Sequence, residues 1–130
     1  MTNEELVRTL ITAYGNGDLD TLLKHCCEDI HYSVQARPET APYAIACNCK
    51  NDFIGALQQY GADWEFQRFE LIDIIASGDK AACRCAIQSK HRKTGAVLSS
   101  QSALFLTIKD SMVTHIYEFH DTDAISALSG

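Results

Sequence analysis

The segment Met112-Val-Thr-His-Ile-Tyr-Glu-Phe-His-Asp-Thr-Asp-Ala-Ile125 is a hydrophobic strand that ends in an acid, an imidazole and a second acid. Alternation puts Thr114, Ile116, Glu118 and His120 on one face of that strand and Val113, His115, Tyr117 and Phe119 on the other. Asp121 lies just past the regular pattern. Glu118 and His120 can therefore work together, whereas Asp121 has to turn inward at the strand end to join them. Carboxylates and an imidazole at the rim of a pocket can move protons between carbon, oxygen and water. The same residues also fit an ordinary strand end. Asp121-Thr-Asp123 can cap a terminal turn through Ala124-Ile-Ser-Ala-Leu128, and His120 can face solvent or a second subunit.

Three further runs of strand length precede this one, at residues 65–76, 80–90 and 97–109. Ser77-Gly-Asp79, Lys93-Thr-Gly95 and Asp110-Ser111 supply the turns, so the four runs read as successive antiparallel hairpins. Strands this long curl through their natural twist, which makes one face concave. Upstream, Thr2-x-x-Glu5 is a capping-box signature, and Leu6, Val7, Leu10, Ile11 and Tyr14 follow at helical spacing before Gly15-Asn-Gly17 stops the run. Asp18 caps a second short helix through about Cys26. Residues 30–34 read as a short strand, the stretch with Pro38 and Pro42 as a loop and candidate lid. Asn51 or Asp52 then caps a third helix that carries Phe53, Ile54, Leu57 and Tyr60 and ends at Gly61. Helices first and strands afterwards make an α+β domain, in which three helices of the N-terminal half close over the curled antiparallel sheet.

Composition narrows the function classes. A chain of 130 residues makes one domain, with a net charge of −6. No window approaches the roughly 20 apolar residues of a membrane span, and Met1-Thr-Asn-Glu-Glu lacks the basic and apolar parts of a signal peptide; the expected location is cytoplasmic, with no membrane partner. Apart from Lys90, His91, Arg92 and Lys93 the basic residues are scattered, so nucleic acid is not an expected partner. The six cysteines are expected to be reduced thiols. In Cys47-x-Cys49 and Cys83-x-Cys85 the gap is one residue, too short for a zinc knuckle, and no metal site is expected. His25, His31, His91 and His115 are read as surface or structurally bonded residues.

Several motifs in order resemble one family. A helix ending in Gly17-Asp-Leu-Asp20, a strand begun by Glu28-Asp-Ile, an Ala76-Ser-Gly-Asp-Lys80 hairpin and the closing Ile116-Tyr-Glu-Phe-His-Asp-Thr122 are similar to SnoaL-like proteins of the nuclear transport factor 2-like, or ketosteroid isomerase-like, superfamily. The resemblance covers nearly the whole chain. It implies a cone-shaped, cystatin-like α+β barrel, a homodimer, and a pocket between sheet and helices. Three enzyme schemes of the superfamily set expectations. The positions matching a ketosteroid isomerase-like apparatus are Val34, Leu10 and Leu104, all aliphatic, which counts against steroid-type isomerisation. For a limonene epoxide hydrolase-like network, Arg84 stands on the less apolar face of its strand and is expected to point outward or into a dimer interface. In a polyketide cyclase-like scheme, a strand-end aspartate with a nearby histidine acts as acid and base, and Asp121 is the matching position.

The catalytic candidates are accordingly Asp121 and His120, with Glu118 tuning them, and the substrate-binding candidates are Tyr14, Tyr32, Val34, Phe53, Trp64, Cys85 and Leu104. No cofactor is required, because a carboxylate or imidazole can make a carbonyl-stabilised carbanion if the enolate oxygen finds a donor. Tyr32, Tyr14 and Trp64 are available donors. Two functions stay open: a cofactor-free isomerase, cyclase or hydrolase of a small hydrophobic carbonyl compound, and a noncatalytic ligand-binding or dimeric assembly domain. Phe105, Tyr117 and Phe119 on the convex face point to a homodimer through that face.

Overall fold

In the computed structural model, which describes residues 1–36 and 46–121, α1 (Asn3–Gly15) starts with the anticipated capping box. The Glu5 amide donates to Thr2 Oγ1 and the Thr2 amide to the Glu5 carboxylate, both at 3.1 Å. Leu6, Val7, Leu10 and Ile11 turn inward from it. Gly17, at a φ of 74°, reverses the chain, and Asp18 caps α2 (Leu19–Lys24) by accepting from the Thr21 amide. This helix stops short of Cys26, because Cys26 already opens β1 (Cys26–Gln35), four residues before the strand start read from the alternation. A two-residue strand, β2 (Ala46–Cys47), pairs antiparallel with β1 and carries no sequence signal of its own. The stretch around Pro38 and Pro42, read as a lid, and the terminal turn beyond Asp121 lie outside the described residues.

The third helix, α3 (Lys50–Asp63), begins one turn earlier than expected. Its N-cap is Cys49 rather than Asn51 or Asp52, and the Cys49 side chain makes no capping bond. Asp52 instead lies within the first turn, where its charge complements the helix dipole. The helix also runs past Gly61 to Asp63. Arg92 explains the extension: its amide donates to Asp63 O and its Nε to Gly61 O, each at 2.8 Å, so carbonyls that a helix end leaves orphaned are satisfied from a neighbouring hairpin.

From there the chain passes without a linker into β3 (Trp64–Ser77), β4 (Lys80–His91), β5 (Val97–Lys109) and β6 (Met112–His120). The sheet order is β2-β1-β6-β5-β4-β3. The hairpins are antiparallel as read, but β1 lies parallel to β6, so the sheet is mixed, curled and unclosed. The β5–β6 turn places Asp110 and Ser111 at φ 52° and 62°, the left-handed pair a two-residue hairpin needs to match strand twist. Arg84 lies exposed on the outer face, bonded to Asp73 and Gln101.

One face assignment changes. Val113 is fully buried together with Ile116, although strict alternation separates them. The register shifts there, from Thr107 opposite His115 to Ile108 opposite Val113, so Thr114 is an extra residue that returns Val113 to the inner face. Val113→Thr, which keeps the shape but sets a hydroxyl in the core, is expected to lower unfolding free energy by about 1–2 kcal/mol in urea denaturation. A neutral result would place Val113 on the outer face instead.

Candidate active site

Between the inner face of the sheet and the three helices lies a narrow chamber of about 40 Å³. Roughly 10–15 Å³ admits one water, so the chamber has room for a few water-sized groups and for no sizeable ligand. Helix α1 contributes Leu10, Ile11 and Tyr14, α2 contributes Leu22, and α3 contributes Phe53 and Leu57. Tyr32, Leu104, Leu106, Ile116 and Glu118 line it from the sheet. These helix residues recur at one-turn spacing because they form the inward stripes of their helices. Among the lining residues Glu118 is the one carboxylate.

Glu118 is placed by its strand. As a residue of β6 it faces Val34 of β1 on one side and Leu104 of β5 on the other, two of the aliphatic positions that match a ketosteroid isomerase-like apparatus. The acid thus stands one strand over, between them. Tyr32 donates its hydroxyl to Glu118 Oε2 at 2.9 Å, and His120 Nε2 meets the same oxygen at 2.8 Å. Both side chains of the pair are shielded, with 7% of His120 and 10% of Glu118 exposed. His120 does not line the chamber. It stands behind Glu118, two residues on along the same face of β6.

Electrostatics favour a charged pair. Burial pushes the Glu118 carboxyl up, but the charge of His120 and the hydrogen bonds from His120 and Tyr32 outweigh it, leaving the carboxyl below its ordinary 4.5. Burial pulls the His120 imidazole down, yet the charge and hydrogen bond of Glu118 prevail and hold it above 6.5. Burial, followed by the charge of Glu118, raises the hydroxyls of Tyr14 and Tyr32 well above 10.0, so both stay protonated donors. Tyr32 stacks obliquely on Phe53, with centroids 4.7 Å apart, and Tyr14 sets its ring edge-on against Phe66 and Phe69.

The remaining candidates are placed elsewhere. Val34 is buried beside Glu118 without lining the chamber. Cys85 is fully buried on the inner face of β4, and its hydrogen bond with Cys83, then burial, holds its thiol well above the usual range. Burial likewise pushes the Cys26 thiol up to about 12. Such thiols pack as small hydrophobes. Trp64 is buried with its ring edge-on to His91 at 4.9 Å, and it lines an outer groove rather than the chamber. Asp121 is exposed at the end of β6 and is not among the residues that line the chamber. Leu22, Leu57 and Leu106 line the chamber as well, although they are not among the substrate-binding candidates; an aliphatic wall and an aliphatic core have the same signature. No three His, Cys, Asp or Glu among the described residues are placed to hold a metal ion, and no helix among them is long and apolar enough to cross a membrane.

Comparison with known proteins agrees with this architecture. The family model of the SnoaL-like domain matches residues 7–116. A nuclear transport factor 2-like protein of Burkholderia thailandensis superposes with a TM-score of 0.88 at 17% identity, covering 100% of this chain and 98% of its own. IdmH of Streptomyces antibioticus, a candidate polyketide cyclase, gives 0.80 at 19%, covering 100% and 99%. A protein of Catenulispora acidiphila with a ketosteroid isomerase-like fold, in complex with trimethylamine, gives 0.82 at 15%, covering 99% and 95%. No curated protein matches the chain significantly. At such identities the superpositions establish the fold alone. With the family model spanning most of its length, the chain belongs to the SnoaL-like domain family.

Proposed function

We propose that the chamber receives the reacting end of a small carbonyl compound, and that Glu118 transfers a proton there in a cofactor-free isomerisation or cyclisation. The observation that carries this reading is a carboxylate held at an apolar wall by two donors on one oxygen. Both hydrogen bonds fall on Oε2, which leaves Oε1 for a bound molecule. In the proposed step Oε1 takes a proton from the carbon next to the carbonyl, and the C–H electron pair moves into the enolate. The Tyr14 hydroxyl, uncommitted among the described residues, donates to the enolate oxygen. Glu118 then returns the proton to the same or another carbon. Protonated His120 remains behind as a fixed positive charge, and Asp121 has no part in the step.

The test is solvent deuterium exchange. In D2O, small ketones are expected to gain deuterium at the carbon next to the carbonyl faster with protein than without, as followed by proton NMR. No acceleration with any ketone at saturation would remove the catalytic reading. Ligand binding without turnover is the second reading, favoured by the rings of Tyr14, Tyr32 and Phe53 around the carboxylate, a setting for a small organic cation. The trimethylamine complex of the Catenulispora protein is consistent with it.

For assembly, the reading is a homodimer through the outer sheet face. Phe105 and Phe119 pack edge-on there at 5.8 Å, exposed by 52% and 44%, and Tyr117 adjoins them. Sedimentation velocity at micromolar concentration is expected to show a dimer that Phe105→Glu/Phe119→Glu converts to monomer. A wild-type monomer would refute it.

A further inference from the structure

The chamber is too small to contain a sizeable organic substrate whole, so a longer molecule that reaches Glu118 extends beyond it. One outer groove, of about 330 Å³, shares Tyr14 and Leu57 with the chamber. Those two side chains stand where the two spaces approach each other. The groove runs along the exit of α1 at Gly15–Gly17, past Leu19, Trp64 and Phe66, to Arg92. Its wall is largely apolar, and Arg92 is the one cation on it.

Arg92 is oriented before any ligand arrives. Its amide and Nε are both spent on the end of α3, at Asp63 O and Gly61 O. That leaves the two Nη groups, which carry no ion pair among the described residues. Glu65 lines the same groove and stands opposite Lys90 across the β3–β4 ladder. A guanidinium pinned through Nε presents its Nη edge as a planar fork, and a carboxylate is the anion that matches that fork.

We propose that the outer groove is an anion subsite, and that the substrate is an elongated keto acid with its carbonyl end in the chamber at Glu118 and its carboxylate on Arg92. This rests on the proposed carbonyl chemistry for the position of the ketone, whereas the subsite itself rests on the groove and on Arg92. Tyr14 and Leu57 then act on the middle of the molecule, where they select a slender aliphatic chain.

The test uses two probes of equal length: 7-oxooctanoate, which carries a methyl ketone and a carboxylate, and octan-2-one, which lacks the carboxylate. Binding is read from the fluorescence of Trp64, the chain's single tryptophan, which lines the groove. The keto acid is expected to bind about 10-fold more tightly than the ketone, the size of one charge-assisted hydrogen bond. Arg92→Gln is expected to abolish that preference while leaving octan-2-one within about twofold, since a neutral ketone makes no charged contact there. Lys93→Gln, which removes an equal charge from the neighbouring position outside the groove, is expected to retain it. Equal affinities in the wild type, a preference that survives Arg92→Gln, loss of it in Lys93→Gln, or no saturable binding of the keto acid up to millimolar concentration would each overturn the subsite. Fluorescence binding needs no turnover, so the two ideas fail separately. A keto-acid preference without deuterium exchange keeps the subsite and removes the carbonyl chemistry, and exchange without the preference does the reverse.

Discussion

Glu118→Gln is expected to lower the rate of deuterium exchange into bound ketones by about 10²–10⁴-fold, the usual worth of a positioned general base. Glutamine keeps the volume of the side chain and still offers an oxygen to the Tyr32 hydroxyl and to His120 Nε2, the two donors that meet Glu118 now. The fold is therefore preserved while the group that accepts a proton is gone. The amide cannot take a proton from carbon at neutral pH, and binding of an unreactive ketone should change little. Asp121→Asn serves as the contrast. Asp121 is exposed beyond the end of β6, so its variant is expected to stay within about twofold of the wild type. The assignment fails if Glu118→Gln exchanges at the wild-type rate, or if Asp121→Asn is the variant that loses it.

His120→Ala is expected to cost about 3–5 kcal/mol of stability near neutral pH and to reverse the sign of the Glu118 contribution to acid stability. In the wild type the lowered carboxyl of Glu118 contributes stability present above 4.5 and lost as pH falls through its folded value. The raised imidazole of His120 contributes stability fully present below 6.5 and lost as pH rises through its folded value. Both contributions are complete together between 4.5 and 6.5, so the pair stabilises most in that window. Without the imidazole the terms that held Glu118 low are mostly gone, and burial raises its carboxyl above the unfolded value. The folded variant then binds more protons than the unfolded chain, and its stability increases as pH falls from neutral toward about 5. Urea denaturation at about pH 5 and about pH 3.5 reads the difference: on acidification the wild type loses the Glu118 contribution, and the variant does not. A variant whose pH profile parallels that of the wild type would show that the pair contributes nothing.

The pairing of Glu118 with His120 was legible because two residues apart on a strand share a face, and no bulge falls between them. Val113 was misplaced because a bulge at Thr114 intervenes, and a single inserted residue leaves no mark in a pattern that already alternates loosely. Asp121 attracted attention by resemblance and by its neighbours, but beyond the last ladder position nothing local dictates where a side chain points. The cap of α3 was misread for a related reason. Asn51 and Asp52 have capping chemistry, yet the carbonyls of Gly61 and Asp63 are satisfied by Arg92, a residue some thirty positions away, and the helix is longer at both ends than its own residues indicate.

Local physics was enough for the order of elements other than β2, for the capping box of α1, for the three hairpin turns and for the face that Glu118 and His120 share. Each of these depends on dihedral preferences or hydrogen bonds within a few residues, which the chain carries wherever it goes. The parallel pairing of β1 with β6, the position of Glu118 between Val34 and Leu104, the standing of His120 behind the acid, and the sharing of Tyr14 and Leu57 by groove and chamber were settled by packing. They depend on which distant surfaces meet when the sheet curls under the helices. That outcome is set by the total apolar area to be buried and by bulges that re-aim a strand, and no single window of the sequence contains either.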